Sequence, residues 1–137
     1  MKFKTSLVGV MALLSFGIGT AVAQTVPPEI VKENRALLIE RWQGSMDDIA
    51  HIIVAGHCGI VPELSATVAS RRVAFMMDDQ KNYLGLIDDP ASQTAVFYQK
   101  ALAMGRELVK TTDCSVFTPA QRASIRQWIA ALEASYP

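Results

Sequence analysis

Apolar residues recur at helical spacing in four segments of the chain, and no segment shows the alternation typical of a β-strand. The first segment opens at Pro27-Pro28-Glu29, where proline suits the first helical turn because its missing N–H would have no partner there. Gly59 marks its end. Its apolar residues lie on one helical face, with Met46 beside them: Val31, Leu38, Trp42, Ile49 and Ile53.

Proline, glycine and capping residues bound the other three segments. The second runs from about Pro62 to Leu84. The third follows Asp89 and Pro90, where Asp89 can cap the helix and Pro90 can take its first position. The fourth opens with Thr118-Pro119-Ala120-Gln121, which is typical of a capping box. Because short connections favour antiparallel neighbours, the predicted fold is all-α: a small four-helix bundle with up-down-up-down topology.

Residues 1–23 have the features of a secretory signal peptide. Two lysines precede an apolar stretch over 7–18, and Ala21-Val22-Ala23 supplies the small residues that signal peptidase accepts. An uncleaved membrane anchor is the alternative, but the apolar stretch is short and contains glycines. We therefore predict a cleaved signal peptide over 1–23, a single helical domain over 24–137, and a periplasmic or secreted protein.

Composition and charge exclude several classes of protein. The chain has 137 residues, of which 50% are hydrophobic, and 13 basic residues balance 13 acidic ones. This composition is too apolar for intrinsic disorder and lacks the basic excess of a nucleic-acid binder. Removal of the signal peptide takes away two lysines and leaves a net charge of 11 − 13 = −2. We therefore predict no nucleic-acid partner, and no membrane association after cleavage.

The chain contains two cysteines, Cys58 and Cys114, which stand 56 positions apart. In an oxidising compartment a disulfide is the expected state of such a pair. Cys58 falls at the end of the first predicted helix and Cys114 at the end of the third, and these ends share one pole of an up-down-up-down bundle. A disulfide of this loop length should stabilise the fold by roughly 4 kcal/mol. The alternative, a reactive or metal-binding pair, has only the neighbouring His57 in its favour.

Motifs that carry chemistry are missing from the sequence. It contains neither a glycine-rich phosphate loop nor the patterns G-x-S-x-G, H-E-x-x-H or C-x-x-C-H. We therefore expect a non-enzymatic protein without a cofactor.

His51 and His57 are the candidates for metal or haem binding. Asp47 and Asp48 precede His51 by about one helical turn, so the three side chains could form a metal site, a pH-sensitive pair or a solvated acidic face. His57 is turned by about 120° from His51, so the two do not share an ion on a straight helix. A b-type haem would need an inward ligand such as His57 with a core methionine. We predict no metal site. The alternative is a metal site formed by residues among Asp47, Asp48, His51 and His57.

Arg72 and Asp79 break the apolar pattern of the second segment. They lie in the middle of an arc where charge is costly unless it is paired or faces a cleft. They form either a partner-binding point or an ion pair between residues two helical turns apart. Arg122 and Arg126, one turn apart on the last helix, could receive an acidic partner or form a solvated basic edge. The apolar residues of the arc are Val61, Leu64, Val68, Phe75, Met76 and Leu86.

Two functions are compatible with these patterns. The first is a non-enzymatic interaction module such as an inhibitor, an immunity factor or a chaperone-like binder, whose partner is another protein. The alternative is a metal- or haem-carrying bundle that uses His51 or His57 with a nearby Asp or Met. Neither the identity of the partner nor the oligomeric state follows from the sequence.

Overall fold

The computed structural model describes residues 26–135, so the predicted signal peptide lies outside the described residues. Four α-helices make up most of this range, which contains no strand, and the predicted all-α four-helix bundle is confirmed. A bilayer-spanning helix is not found among these residues. The helices are α1 (Pro28–His57), α2 (Glu63–Tyr83), α3 (Thr94–Thr111) and α4 (Pro119–Ala134), with a short 3-10 turn (Cys114–Val116) before α4.

Three helix boundaries follow local sequence signals. Gly59 and Gly85 follow α1 and α2 with φ of 69° and 71°, a conformation that glycine adopts without the steric cost of a Cβ. At the start of α4, Thr118 Oγ1 accepts a hydrogen bond from the Gln121 N–H at 3.1 Å, and Gln121 Oε1 accepts one from the Thr118 N–H at 2.9 Å. The predicted capping box is therefore confirmed.

The start of α3 differs from the prediction. The helix begins at Thr94, after Gln93, and not at Pro90. Asp89 does not cap it, because its carboxylate accepts two hydrogen bonds from the guanidinium group of Arg35 in α1 and one from the Ser92 hydroxyl. A charge-assisted, two-point contact with a residue 54 positions earlier is stronger than a local cap. Local spacing does not reveal such a contact.

The central helix of the bundle is α1. It packs extensively against α2, which is antiparallel to it, and against α3, which is parallel to it, whereas α4 packs mainly against α2. Trp42 joins the first three helices: it is fully buried, its indole N–H donates to the Met77 carbonyl of α2 at 3.2 Å, and its ring meets the ring of Phe97 in α3 edge-on at 4.9 Å. The order of packed neighbours is therefore α3, α1, α2, α4.

The buried face of α2 is not the one that the large apolar residues predicted. Leu64 and Phe75, both on the predicted arc, are 74% and 56% exposed. The prediction that Arg72 and Asp79 lie in the middle of the core-facing stripe was therefore wrong. Small side chains let α2 approach α1 closely, and this contact decides which face is buried. The buried residues of α2 are Ala66, Ala69, Ser70, Val73, Met77 and Lys81.

Cys58 and Cys114 form the predicted disulfide, with their Cα atoms 5.3 Å apart. It joins the C-cap of α1 to the 3-10 turn, three residues after the last residue of α3. Such a bond is typical of proteins outside the cytoplasm.

Candidate functional site

An open groove runs between α2 and α3, and α1 forms its floor in the part nearer the disulfide. Both helices pack on α1 but make little contact with each other, which leaves the space open. The part nearer the disulfide has a volume of about 650 Å³, and the part nearer the start of α3 about 430 Å³. Arg71 and Tyr98 line both parts, so the two parts form one groove, here called the α2–α3 groove. From Glu63 to Lys81 it follows α2 for roughly 27 Å.

The part nearer the disulfide has an apolar floor and a charged rim. The rim carries four exposed side chains that can bear charge: His57, Glu63, Arg71 and Arg106. A dry apolar centre inside a polar border is typical of protein–protein interfaces. The apolar residues that line this part are buried or half-buried: Ile53, Gly56, Ala66, Leu102 and Val109.

Three charged side chains of α2 line the part nearer the start of α3: Arg71, Asp78 and Lys81. Lys81 lines it and is only 6% exposed, whereas Arg71 is exposed at its edge. The carboxylate of Asp78 accepts a hydrogen bond from the Thr94 hydroxyl at 2.8 Å, which ties α2 to the first turn of α3. The side chain of the N-cap residue, Gln93, does not cap the helix, and its amide instead donates to the Asp89 carbonyl at 3.0 Å.

A smaller cavity of about 250 Å³ lies between the C-terminal part of α1 and α4. Its volume is below the range of about 300–1,000 Å³ that is usual for drug-sized ligands. His51 borders it, and the other residues that line it are apolar: Val54, Ala55, Ile60, Phe117, Ile125 and Trp128.

The four residues considered for a metal site are not brought together. Asp47, Asp48, His51 and His57 are all exposed, and among residues 26–135 no three His, Cys, Asp or Glu side chains are grouped so that they could hold an ion. His51 borders the smaller cavity and His57 the α2–α3 groove, and no methionine lines either one. Desolvation by the surrounding protein raises the pKa of Asp48; His51 opposes this rise and Asp47 adds to it.

Of the residues considered for partner binding, Arg72 and Asp79 do not line the groove, but their neighbours Arg71 and Asp78 do. The displacement by one position follows from the wrong choice of buried face. The small residues Ala66, Ala69 and Ser70 were the sequence signal that could have identified the buried face of α2. They mark the line along which α2 contacts α1 closely, and the residues beside that line border the groove.

Arg122 has a structural role in the connection before α4. Its guanidinium group donates to the Cys114 carbonyl at 2.7 Å and to the Phe117 carbonyl at 3.4 Å, and it lies 6.0 Å from the centre of the Phe117 ring. These contacts hold α4 next to the disulfide. Arg126, one turn later, is exposed and borders neither the α2–α3 groove nor the smaller cavity.

No known family model matches the sequence, and no curated protein and no solved structure shows significant similarity to it. Among the features above, the α2–α3 groove combines length, an apolar floor and a charged border.

Proposed function

We propose that the protein is a non-enzymatic binding module of the periplasm or the cell exterior, and that it holds a segment of another protein in the α2–α3 groove. The observation that carries this proposal is the open space above α1, where α2 and α3 flank an apolar floor. Its length of roughly 27 Å equals about five turns of helix. The disulfide and the predicted signal peptide support a site of action outside the cytoplasm.

The position of α4 supports the proposal. In a closed four-helix bundle each helix fills a groove between two others. Here α4 packs mainly on α2, so it does not lie between α2 and α3. A helix from a partner can take that place with its apolar face on Ile53 and Leu102, which is the helix-in-groove mode of recognition.

Charge at the rim favours an acidic partner segment. Arg71 and Arg106 stand on opposite walls of the groove, one on α2 and one on α3, and Glu63 is the one acidic residue that lines the described part nearer the disulfide. Complementary charge at a rim increases the rate of association and selects among partners more than it adds affinity. We therefore expect partner association to slow as salt concentration rises.

Affinity capture with two matched variants tests the site. Gln99 lies exposed in the groove, whereas Gln127 lies exposed on α4 and lines neither the groove nor the smaller cavity. The wild-type protein and the Gln127→Trp variant should retain the same protein from an extracytoplasmic extract, and the Gln99→Trp variant should lose it because an indole fills the groove. Circular dichroism should be equal for all three. Equal capture by both variants would place the binding surface elsewhere, and no specific capture would contradict the proposed function.

A further inference from the structure

Lys81 is a charged side chain that the fold buries at the end of the α2–α3 groove. It is 6% exposed, and within residues 26–135 its ammonium group neither forms an ion pair nor donates a hydrogen bond. Its Nζ is not among the fully buried atoms that lack a partner in this range, so the stem of the side chain is packed while the ammonium group keeps contact with solvent. An anion that enters the groove would therefore meet a charged donor that has no other partner.

The first turn of α3 borders the same space. This helix has 18 residues, and the side chain of its N-cap residue, Gln93, does not accept a hydrogen bond from the N–H groups of the first turn. In this turn the Val96 N–H donates to the Gln93 carbonyl at 3.1 Å, whereas the N–H groups of Thr94 and Ala95 have no partners within the helix and carry the positive end of its dipole. Thr94 and Ala95 line the groove together with Lys81, so backbone donors and an ammonium group face one volume of about 430 Å³.

The charges around this space favour a singly charged ligand. Arg71 and Lys81 are its two cations, and Asp78 is the one acidic residue among the described residues that line it, so the ionised side chains sum to 2 − 1 = +1. A second negative charge on the ligand would be repelled by Asp78. Ala74 and Tyr98 add apolar surface for the body of an organic acid.

We propose that this end of the groove binds a carboxylate, with Lys81 as the charged donor and the N-terminus of α3 as the source of N–H groups. The carboxylate belongs to an acidic side chain or to the chain end of the partner segment. This assignment rests on the proposed function. A free organic acid has the same chemistry and is distinguished by the probes below.

Titrations followed by ¹⁵N–¹H NMR at constant ionic strength test the site with the purified protein. The probes are benzoate and N-acetyl-trialanine, and the controls are their amides, which lack the charge. The carboxylates should shift the amide signals of Thr94 and Ala95 to saturation, and the amides should not. Tighter binding of the peptide indicates a partner carboxylate, and tighter binding of benzoate indicates a free organic acid. Absence of saturation with both carboxylates, or equal binding of the amides, would overturn the proposal.

Variants assign the effect to Lys81. Lys81→Met should weaken carboxylate binding by about tenfold, the value of one lost charge-assisted hydrogen bond. Lys100→Met is the matched control, because Lys100 is exposed on α3 with its ammonium group 5.1 Å from the centre of the Phe97 ring. Asp78→Asn should tighten binding, which provides a second reading if Lys81→Met does not fold. Unchanged affinity in both Lys81→Met and Asp78→Asn would exclude this site.

The outcomes separate this inference from the proposed function. Carboxylate binding that depends on Lys81, together with no captured protein, would support the anion site and contradict the partner. Partner capture that depends on Gln99, together with no carboxylate binding, would support the partner and contradict the anion site.

Discussion

Asp89 joins α1 to the connection between α2 and α3 through one carboxylate. Its side chain is 4% exposed and lies between Arg35 of α1 and Ser92 of the connection before α3. The hydrogen bond from Arg35 is the main cause that lowers its pKa from 3.8 to about 2; burial opposes this change, and the Ser92 hydroxyl adds to it. The ionised form of Asp89 therefore holds the α2–α3 connection against the N-terminal half of α1.

Stability should depend on pH through this residue. Because the folded pKa of Asp89 is below the unfolded value, its contribution is complete above about pH 4 and is lost as the pH falls toward 2. At pH 7, Asp89→Asn should lower the free energy of unfolding by about 1–3 kcal/mol. The difference from the wild-type protein should shrink between pH 4 and pH 2 in urea unfolding. Asp88→Asn, at the exposed neighbouring position, should change stability little; a loss at Asp89 that stays constant with pH would contradict this assignment.

Contact between α1 and α3 depends on a glycine. Gly105 is buried, and a Cβ at this position would lie 2.7 Å from Ile53 Cδ1 and 2.9 Å from Ile53 Cβ. The Cδ1 atom can rotate away, but the Cβ atom can move only with the backbone of α1. The distance between these two helices is therefore set by the absence of a side chain at position 105.

Two Gly→Ala substitutions should have opposite effects. Gly105→Ala should lower the free energy of unfolding by about 1–2 kcal/mol, because overpacking outweighs the gain in helix propensity. Gly44→Ala should raise it by up to about 1 kcal/mol, because Gly44 lies exposed within α1 and nothing stands within 4 Å of an added Cβ. Denaturant unfolding of both variants measures the sign of each change in the free energy of unfolding. Stabilisation by Gly105→Ala would show that α1 and α3 separate easily.

At the scale of the whole molecule, α4 has the fewest buried residues of the four described helices. Ile129 is its single buried residue within the described chain, and α4 packs mainly on α2. The disulfide and the contacts of Arg122 with the Cys114 and Phe117 carbonyls hold its beginning in place. The cross-link therefore matters most for the helix that has the smallest share of the core.

Removal of the disulfide should loosen α4 first. Replacement of Cys58 and Cys114 by serine should lower the free energy of unfolding by roughly 2–5 kcal/mol and leave the helical spectrum. In hydrogen exchange, the amides of α4 should lose more protection than those around Trp42 in α1, because α1 keeps its packing against α2 and α3. Reduction of the wild-type protein is the matched control and should give the same pattern. Uniform loss across all helices would show that α4 is an equal part of one cooperative unit.

The helices and the disulfide were predictable because their signals are local or few. Helical periodicity, Gly59, Gly85 and the Thr118–Gln121 capping box act within a few residues, so they do not depend on the rest of the fold. Two cysteines allow a single disulfide, and the predicted pairing agrees with the structure.

The buried face of α2, the true start of α3 and the groove arise only from tertiary packing. The size of apolar side chains predicted that Leu64 and Phe75 face the core, but a helix is buried where it can approach its neighbour most closely, and small residues allow that approach. Asp89 was predicted as a helix cap from its position before Pro90. Its actual partner, Arg35, was missed because it lies 54 positions earlier in the sequence. The groove exists because α1 supports α2 and α3 while α4 packs on α2, an arrangement set by contacts between helices and not by any local pattern.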